Sequence, residues 1–281
     1  MSTLYVTDLD GTLLNNEATI EREDLQTLNT LIKNGTLFSV ATGRSYTTAK
    51  KILEPIHLTL PALFLNGVHV FDMQRGRTLY TKNMGSLSVE KILAVFRKVD
   101  ICSIFYVMMP NGNVTLYYDN AKTEMAKRFI ASRANFLQEV SDYEAILEKP
   151  LEEVISKHQI CFIIALEKDE KKIAFIMHAL SFIDGISYHL YEERTHGFLS
   201  IEVFSKEGGK DKGISFLKEY TRAENVISFG DNLNDISMKE QSNLFCVVEN
   251  ALPEMKAYAD YIIPSNNESG VISFIHNNTH I

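Results

Sequence analysis

The chain has 281 residues, 45% hydrophobic and 23% charged, enough for one large or two modest globular domains with real cores. Its formal net charge of -8 excludes a general affinity for nucleic acid or acidic membranes, so an anionic ligand must be drawn in by local groups. No apolar run reaches the ~20 residues that span a bilayer, and the N-terminus enters a strand without a signal-peptide pattern, so a cytoplasmic protein is expected. Cys102, Cys161 and Cys246 are far apart in apolar runs and read as core residues of a reducing compartment.

In chain order, "TLYVT" (Thr3 to Thr7) is a short β-rich run, as in a strand buried on both faces. Glu21 to Asn34 follows as a helix, with Leu25, Leu28 and Ile32 on one face. A second strand (Thr36 to Ala41), a helix (Ser45 to Leu53) and a third strand (Pro61 to Asn66) complete a βαβαβ order, which predicts a parallel sheet with helices on both faces. "VHVFD" and "RTLYTK" form a hairpin. The α/β pattern returns near the C-terminus: helix Lys212 to Thr221, strand Asn225 to Gly230, helix Asn234 to Ser242, strand "FCVV", helix Leu252 to Tyr258, strand "YII" and helix Gly270 to Asn277.

The middle reads differently. An amphipathic helix carries Val89, Ile92, Leu93, Phe96 and Val99, and "CSIFYVMM" and "VTLYY" flank the turn "PNGN". Helices are expected at Thr123 to Ser132 and Tyr143 to Leu147, then strand "QICFIIAL", helix Glu170 to Leu180 and strand "ISYHLY". The prediction is an α/β core made of 1–83 and 191–281, interrupted by an inserted α+β domain at 84–190.

Ligands of open α/β sheets bind outside the carboxyl ends of the strands. Three strands end in polar clusters: Asp8-Leu9-Asp10-Gly11-Thr12, Thr42-Gly43-Arg44, and Gly230-Asp231-Asn232-Leu233-Asn234-Asp235. As parallel neighbours they would gather up to four carboxylates at one point. Two unit charges ~4 Å apart repel by ~4 kcal/mol at an effective dielectric of 20. Either some carboxyls are protonated or a divalent cation sits among them, and an all-oxygen set favours Mg²⁺ over zinc. Glycine turns, Thr12, Thr42 and a lysine of "SKEGGKDKG" then suit a phosphate. The eight histidines have no paired spacing and read as structural or surface residues.

With these motifs the sequence resembles a haloacid dehalogenase superfamily phosphatase of the Cof type, subclass IIB, whose cap is inserted between the second and third motifs. The matches are DxDGT at Asp8 to Thr12, TGR at Thr42 to Arg44, a lysine before a glycine, GDxxND at Gly230 to Asp235, "NG" at Asn66-Gly67 and the tail "NALPEMKAYADYIIPSNNESGV". The resemblance implies a Rossmann-like core plus a cap that sets specificity. It implies Asp8 as nucleophile forming an aspartyl-phosphate, and Asp10 as general acid and then base. Mg²⁺ would be held by Asp8, the backbone carbonyl of Asp10, Asp231 and, through water, Asp235. Leu9, Thr42, Gly43, Lys210 and Asn234 would hold the phosphoryl group, with Arg44 and Asn66 as further candidates. Lys210 stands three before Gly213, as the family's lysine does; Lys212 and Lys206 are the alternatives. Glu249 departs from the family, which more often has glycine there.

The expected function is Mg²⁺-dependent hydrolysis of a small phosphorylated metabolite, a sugar phosphate or phosphorylated cofactor, with no nucleic-acid or membrane partner. A phosphotransferase such as a phosphohexose mutase is the alternative on the same scaffold, and a non-catalytic phosphate-ester-binding module the alternative of another class. Tyr106, Tyr117, Tyr118 and Arg194 are candidate cap-pocket residues. The substrate and the oligomeric state are not encoded in any motif.

Overall fold

Alternate residues of a strand point to opposite faces, yet Leu4, Tyr5 and Val6 are all buried. The strand Thr3–Thr7 is therefore covered on both sides. A computed structural model describes residues 2–119, 121–124, 126–131, 134, 146–193 and 198–278. It divides into two compact units, Met1–Tyr80 with Gly209–Ile281, and Thr81–Gly208.

The first unit is built on a five-stranded parallel sheet. Its order is Tyr261–Ile263, Leu244–Val248, Asn225–Gly230, Thr3–Thr7 and Leu37–Val40. The third predicted strand, Ala62–Phe64, does not extend this ladder fully. A single parallel bridge joins Leu63 to Ala41, and the strand then pairs antiparallel with His69–Asp72 in a small separate sheet.

Helix Arg22–Lys33 carries Glu23 and Asp24 in its first turn and Lys33 in its last, which suits its dipole. It buries Leu28, Leu31 and Ile32. Helix Tyr46–Leu53 begins where the Ser45 hydroxyl accepts the Thr48 N–H at 3.3 Å. Helices Lys210–Thr221 and Gly270–Asn278 add Ile214, Leu217, Ile272 and Ile275 to the same core. His69 lies wholly inside, against Phe64 and Phe71, and burial lowers its imidazole to about 4. It is a core residue.

The second unit is a six-stranded sheet ordered Ile186–Glu193, Phe198–Ser205, Ile160–Glu167, Ser103–Met108, Val114–Asp119 and Ile146–Glu148. Pairing is antiparallel except for the last two strands. Phe105, Val107, Ile163, Ala165, Ile201 and Val203 share a core with Val89, Ile92 and Phe96 of helix Ser86–Lys98. Residues one step along, Tyr106, Phe162 and Phe204, stack among themselves on the other face.

Several expectations are corrected. Residues 191–208 were expected in the α/β core, but Phe198–Ser205 pairs along its length with Ile186–Glu193 and Ile160–Glu167, so the second boundary moves to Gly208. The alternation of Leu199, Ile201 and Val203 with Ser200 and Glu202 is the signal for that strand. Of the helix expected at Tyr143 to Leu147, residues 143–145 lie outside the described residues. Ile146–Glu148 is a strand instead, paired parallel with Leu116–Tyr118. Of the helix expected at Thr123 to Ser132, residues 124 and 126–131 are helical, while 125 and 132 lie outside the described residues. Helix Leu151–Lys157 was not expected at all. All three cysteines are free and buried. Among the described residues no helix is long and apolar enough to cross a membrane.

Candidate active site

The parallel register brings the three polar strand ends together. The N–H of Asp8 donates to Phe229 O at 2.9 Å, and the N–H of Ala41 to Thr7 O at 2.8 Å. Asp8 thus emerges between the ends of the strands that lead to Thr42 and Asp231. One oxygen from each of Asp8, Asp231 and Asp235, all buried, lies within 4.8 Å of the others.

Lys210 sits among them with its side chain fully buried. Its Nζ donates to Asp8 Oδ1 and to Asp235 Oδ1, both at 2.6 Å. Burial alone would lower the Lys210 ammonium, but Asp235 and Asp8 hold it above the ordinary lysine value. For Asp8 burial dominates. It pushes the carboxyl well above the usual range, with help from Asp235, Asp231 and Asp10 and against the pull of Lys210. Asp235 is fully engaged, because its Oδ2 also accepts the N–H groups of Asp231 (3.0 Å) and Asn232 (3.1 Å). The Thr12 hydroxyl donates to Asp231 Oδ1 at 3.1 Å.

Of the three alternative lysines, Lys210 is the one beside these carboxylates. Lys212 is half-exposed and paired with Asp211 at 3.0 Å, and Lys206 is exposed. Lys210 is seated by an unusually close backbone approach. A Cβ on Gly67, whose φ is +82°, would lie 2.1 Å from Gly209 O and 3.1 Å from Lys210 N. Gly67→Ala is expected to cost ~2–5 kcal/mol, combining ~1–2 for a left-handed backbone with ~1–3 for overpacking. Denaturant unfolding of the variant measures this loss.

Thr42 is buried and its Oγ1 accepts the Arg44 N–H at 3.1 Å, which leaves the hydroxyl proton to donate elsewhere. Asn66 is buried at φ +53° and donates its N–H to Thr42 O at 2.9 Å. Its Oδ1 accepts from Asn234 Nδ2 at 3.1 Å and lies 3.4 Å from where a Gly43 Cβ would stand. Asn66 thus links the Thr42-Gly43 turn to Asn234. The Leu9 side chain is in the core, and its carbonyl accepts the N–H groups of Thr12, Leu13 and Leu14 at 3.3, 3.1 and 2.9 Å. Leu9 can meet an anion only through its own backbone N–H.

Arg44 was a further candidate for the phosphate. Its fork instead holds Asp10, with Nε on Oδ2 at 2.7 Å and Nη2 on Oδ1 at 2.6 Å. The Asp10 side chain is about half exposed, at 50%. Glu249 is exposed and pairs with Lys256 at 3.3 Å. Tyr117 belongs to the helix-covered core of the second unit, whereas Tyr106 lies on the opposite face. Arg194 lies outside the described residues. Sequence reasoning did not single out Asn250, whose Nδ2 donates to Gly11 O at 2.7 Å, or Asn266, whose Nδ2 donates to Leu14 O at 2.9 Å. Their presence in the tail motif was the only signal.

The donor set suits a hard divalent cation. Three buried carboxylates outnumber the one buried ammonium beside them, one oxygen of each lies within 4.8 Å of the others, and neither histidine nor cysteine is part of the cluster.

The chain is similar to known proteins over nearly its whole length. A family model described as haloacid dehalogenase-like hydrolase matches residues 5–275. A 5-amino-6-(5-phospho-D-ribitylamino)uracil phosphatase of Bacillus subtilis is 23% identical over 95% of this chain and 95% of its own. A pyridoxal phosphate phosphatase of Escherichia coli is 25% identical over 96% of each chain. The solved structure of a sugar phosphatase of subclass IIB superposes with a TM-score of 0.75 at 21% identity, covering 100% of both chains.

Proposed function

The chain belongs to the haloacid dehalogenase-like hydrolase family as a phosphoric monoester hydrolase, and from that premise we propose a Mg²⁺-dependent phosphatase that acts on a small phosphorylated metabolite through an aspartyl-phosphate on Asp8. The observation that carries the reading is the buried Asp8–Asp231–Asp235 cluster around the Lys210 ammonium. Such a cluster has little use in a structural turn, where unpaired buried charge is costly.

In this reading a carboxylate oxygen of Asp8 attacks phosphorus and the bond to the leaving alcohol oxygen breaks. Asp10 gives a proton to that oxygen. It then takes one from the water that attacks the aspartyl-phosphate, which releases inorganic phosphate and restores Asp8. Arg44 is assigned to holding Asp10 at the open side of the site until the ester arrives. Lys210, Thr42, Asn234 and the backbone N–H groups of Leu9 and Gly43 take the phosphoryl oxygens. Asn66 orients the Asn234 amide.

Mg²⁺ would be held by Asp8, Asp231 and the Asp10 carbonyl, and would offset the charge of carboxylates and phosphoryl group together. Asp235, with both oxygens already engaged, suits contact through water. The substrates named for the relatives, a phosphoribityl-uracil, pyridoxal phosphate and a sugar phosphate, support a small metabolite. Tyr106, Phe162 and Phe204 are buried together in the second unit, so the choice of metabolite is assigned to that unit and not to any one of these rings.

The purified protein is expected to release phosphate from an aryl phosphate with Mg²⁺ and to fall to background with a chelator. A chelator-resistant rate would contradict the metal assignment. Conversion of a hexose phosphate to its isomer without release of phosphate would favour the mutase alternative.

A further inference from the structure

The loop that follows the two aspartates is tied down from the far end of the chain. Asn250 Nδ2 donates to Gly11 O at 2.7 Å, and Asn250 Oδ1 accepts the N–H of Asn266 at 2.9 Å. Asn266 is only 5% exposed. Its Nδ2 donates to Leu14 O at 2.9 Å and to Asn16 Oδ1 at 3.2 Å. Asn267 Oδ1 completes the set by accepting the Asn16 N–H at 3.0 Å. Two side-chain amides therefore grip both ends of the stretch Gly11 to Leu14, and the Asn250 amide oxygen also accepts the backbone N–H of Asn266.

The grip reaches the chemistry through the backbone. Gly11 has a φ of +79°, and a Cβ there would lie 2.6 Å from Asp231 Oδ2. The carbonyl held by Asn250 thus belongs to a residue packed against Asp231 and directly following Asp10. The same tail segment touches Asp231 from behind, where the N–H of Leu252 donates to Asp231 O at 3.2 Å. A shift of Gly11 would move the Asp10 carbonyl, the Asp10 side chain and the Thr12 hydroxyl together.

We propose that Asn250 and Asn266 are positioning residues for this reaction. They set the conformation of the loop after the nucleophile without touching substrate. The inference rests on the phosphatase reading for its kinetic consequence, but the brace itself is independent of it.

Asn250 is the residue to change, because it is exposed and its loss leaves the core intact. Asn250→Ala removes both of its bonds. Asn250→Asp keeps an acceptor for the Asn266 N–H and loses the donor to Gly11. In both variants, backbone amide hydrogen exchange is expected to quicken about five-fold or more in the peptide covering 9–16 and nowhere else in the parallel sheet. On an aryl phosphate with Mg²⁺, kcat is expected to fall ~10- to 100-fold with KM changed less than about two-fold. Thermal unfolding should stay within a few degrees of wild type.

Unchanged exchange in that peptide overturns the brace. Quickened exchange with kcat unaltered overturns the positioning role. A wild-type protein inactive on every ester counts against the phosphatase reading, and the exchange result still decides whether the brace exists.

Discussion

Asp8→Asn is expected to lower phosphate release by ~10⁴-fold or more while leaving the protein folded, measured as initial rate on an aryl phosphate with saturating Mg²⁺. The two side chains are nearly isosteric, but a neutral amide oxygen is too weak a nucleophile to displace the alcohol from phosphorus and form the acyl phosphate. Stability is the informative control. Burial, Asp235, Asp231 and Asp10 raise the Asp8 carboxyl well above its usual range in the fold. A raised carboxyl contributes stability that is full below its unfolded value and is lost as pH rises through the folded value. As pH rises, ionising Asp8 therefore weighs against folding, offset in part by Lys210. The asparagine variant is expected to be at least as stable as wild type in metal-free buffer at neutral pH, so lost activity reflects the lost nucleophile. A large fall in stability would contradict this account of the cluster.

Lys210→Met is expected to do the opposite to stability. Removing one partner of a buried ionic network costs ~3–5 kcal/mol, because the charges left behind have no counterpart. Here the two carboxylates bonded at 2.6 Å, Asp8 and Asp235, would face each other and Asp231 without a cation. The sign with pH follows from the raised lysine value: its contribution is full below the unfolded lysine pKa and is lost only as pH rises through the folded one. The whole loss should therefore be visible at neutral pH by denaturant unfolding. Activity should drop ~10²–10³-fold, the usual range for one charge-stabilising donor. Added Mg²⁺ should raise the unfolding midpoint of the variant more than that of wild type, since it would supply the missing positive charge. Equal Mg²⁺ effects on the two proteins would argue that the cation and Lys210 serve different carboxylates.

Much of this arrangement is legible in the sequence because it depends on strand ends. Short two-sided apolar runs mark Thr3–Thr7 and Asn225–Gly230, and the residues after them have nowhere to go but the carboxyl edge of the sheet. Asp8 and Asp231 follow from that alone. Lys210 was harder, since three lysines stand within seven positions and only its place three before Gly213 set it apart from the others. Arg44 was placed with its motif, but its partner was not, because nothing in Thr42-Gly43-Arg44 says that its fork will meet Asp10.

The second unit was less legible. Phe198–Ser205 went unassigned because it adjoins the return to the α/β core. Its place is fixed by pairing with strands on either side of it in space, which local pattern does not record. Ile146 and Leu147 were read as the end of a helix, yet the three-residue strand Ile146–Glu148 has no periodicity of its own and exists only through Val114–Asp119 beside it. Asn250 and Asn266 carry side-chain bonds across more than 200 residues, and no spacing rule reaches that far.

The measurement that bears most directly on the central claim is acid quenching of the wild-type protein during turnover of an aryl phosphate with Mg²⁺, followed by mass analysis of its peptides. The peptide containing Asp8 is expected to carry one phosphoryl group, labile to hydroxylamine and missing when chelator is present. Steady release of phosphate with that peptide never modified, even at the shortest quench times, would contradict a covalent role for Asp8.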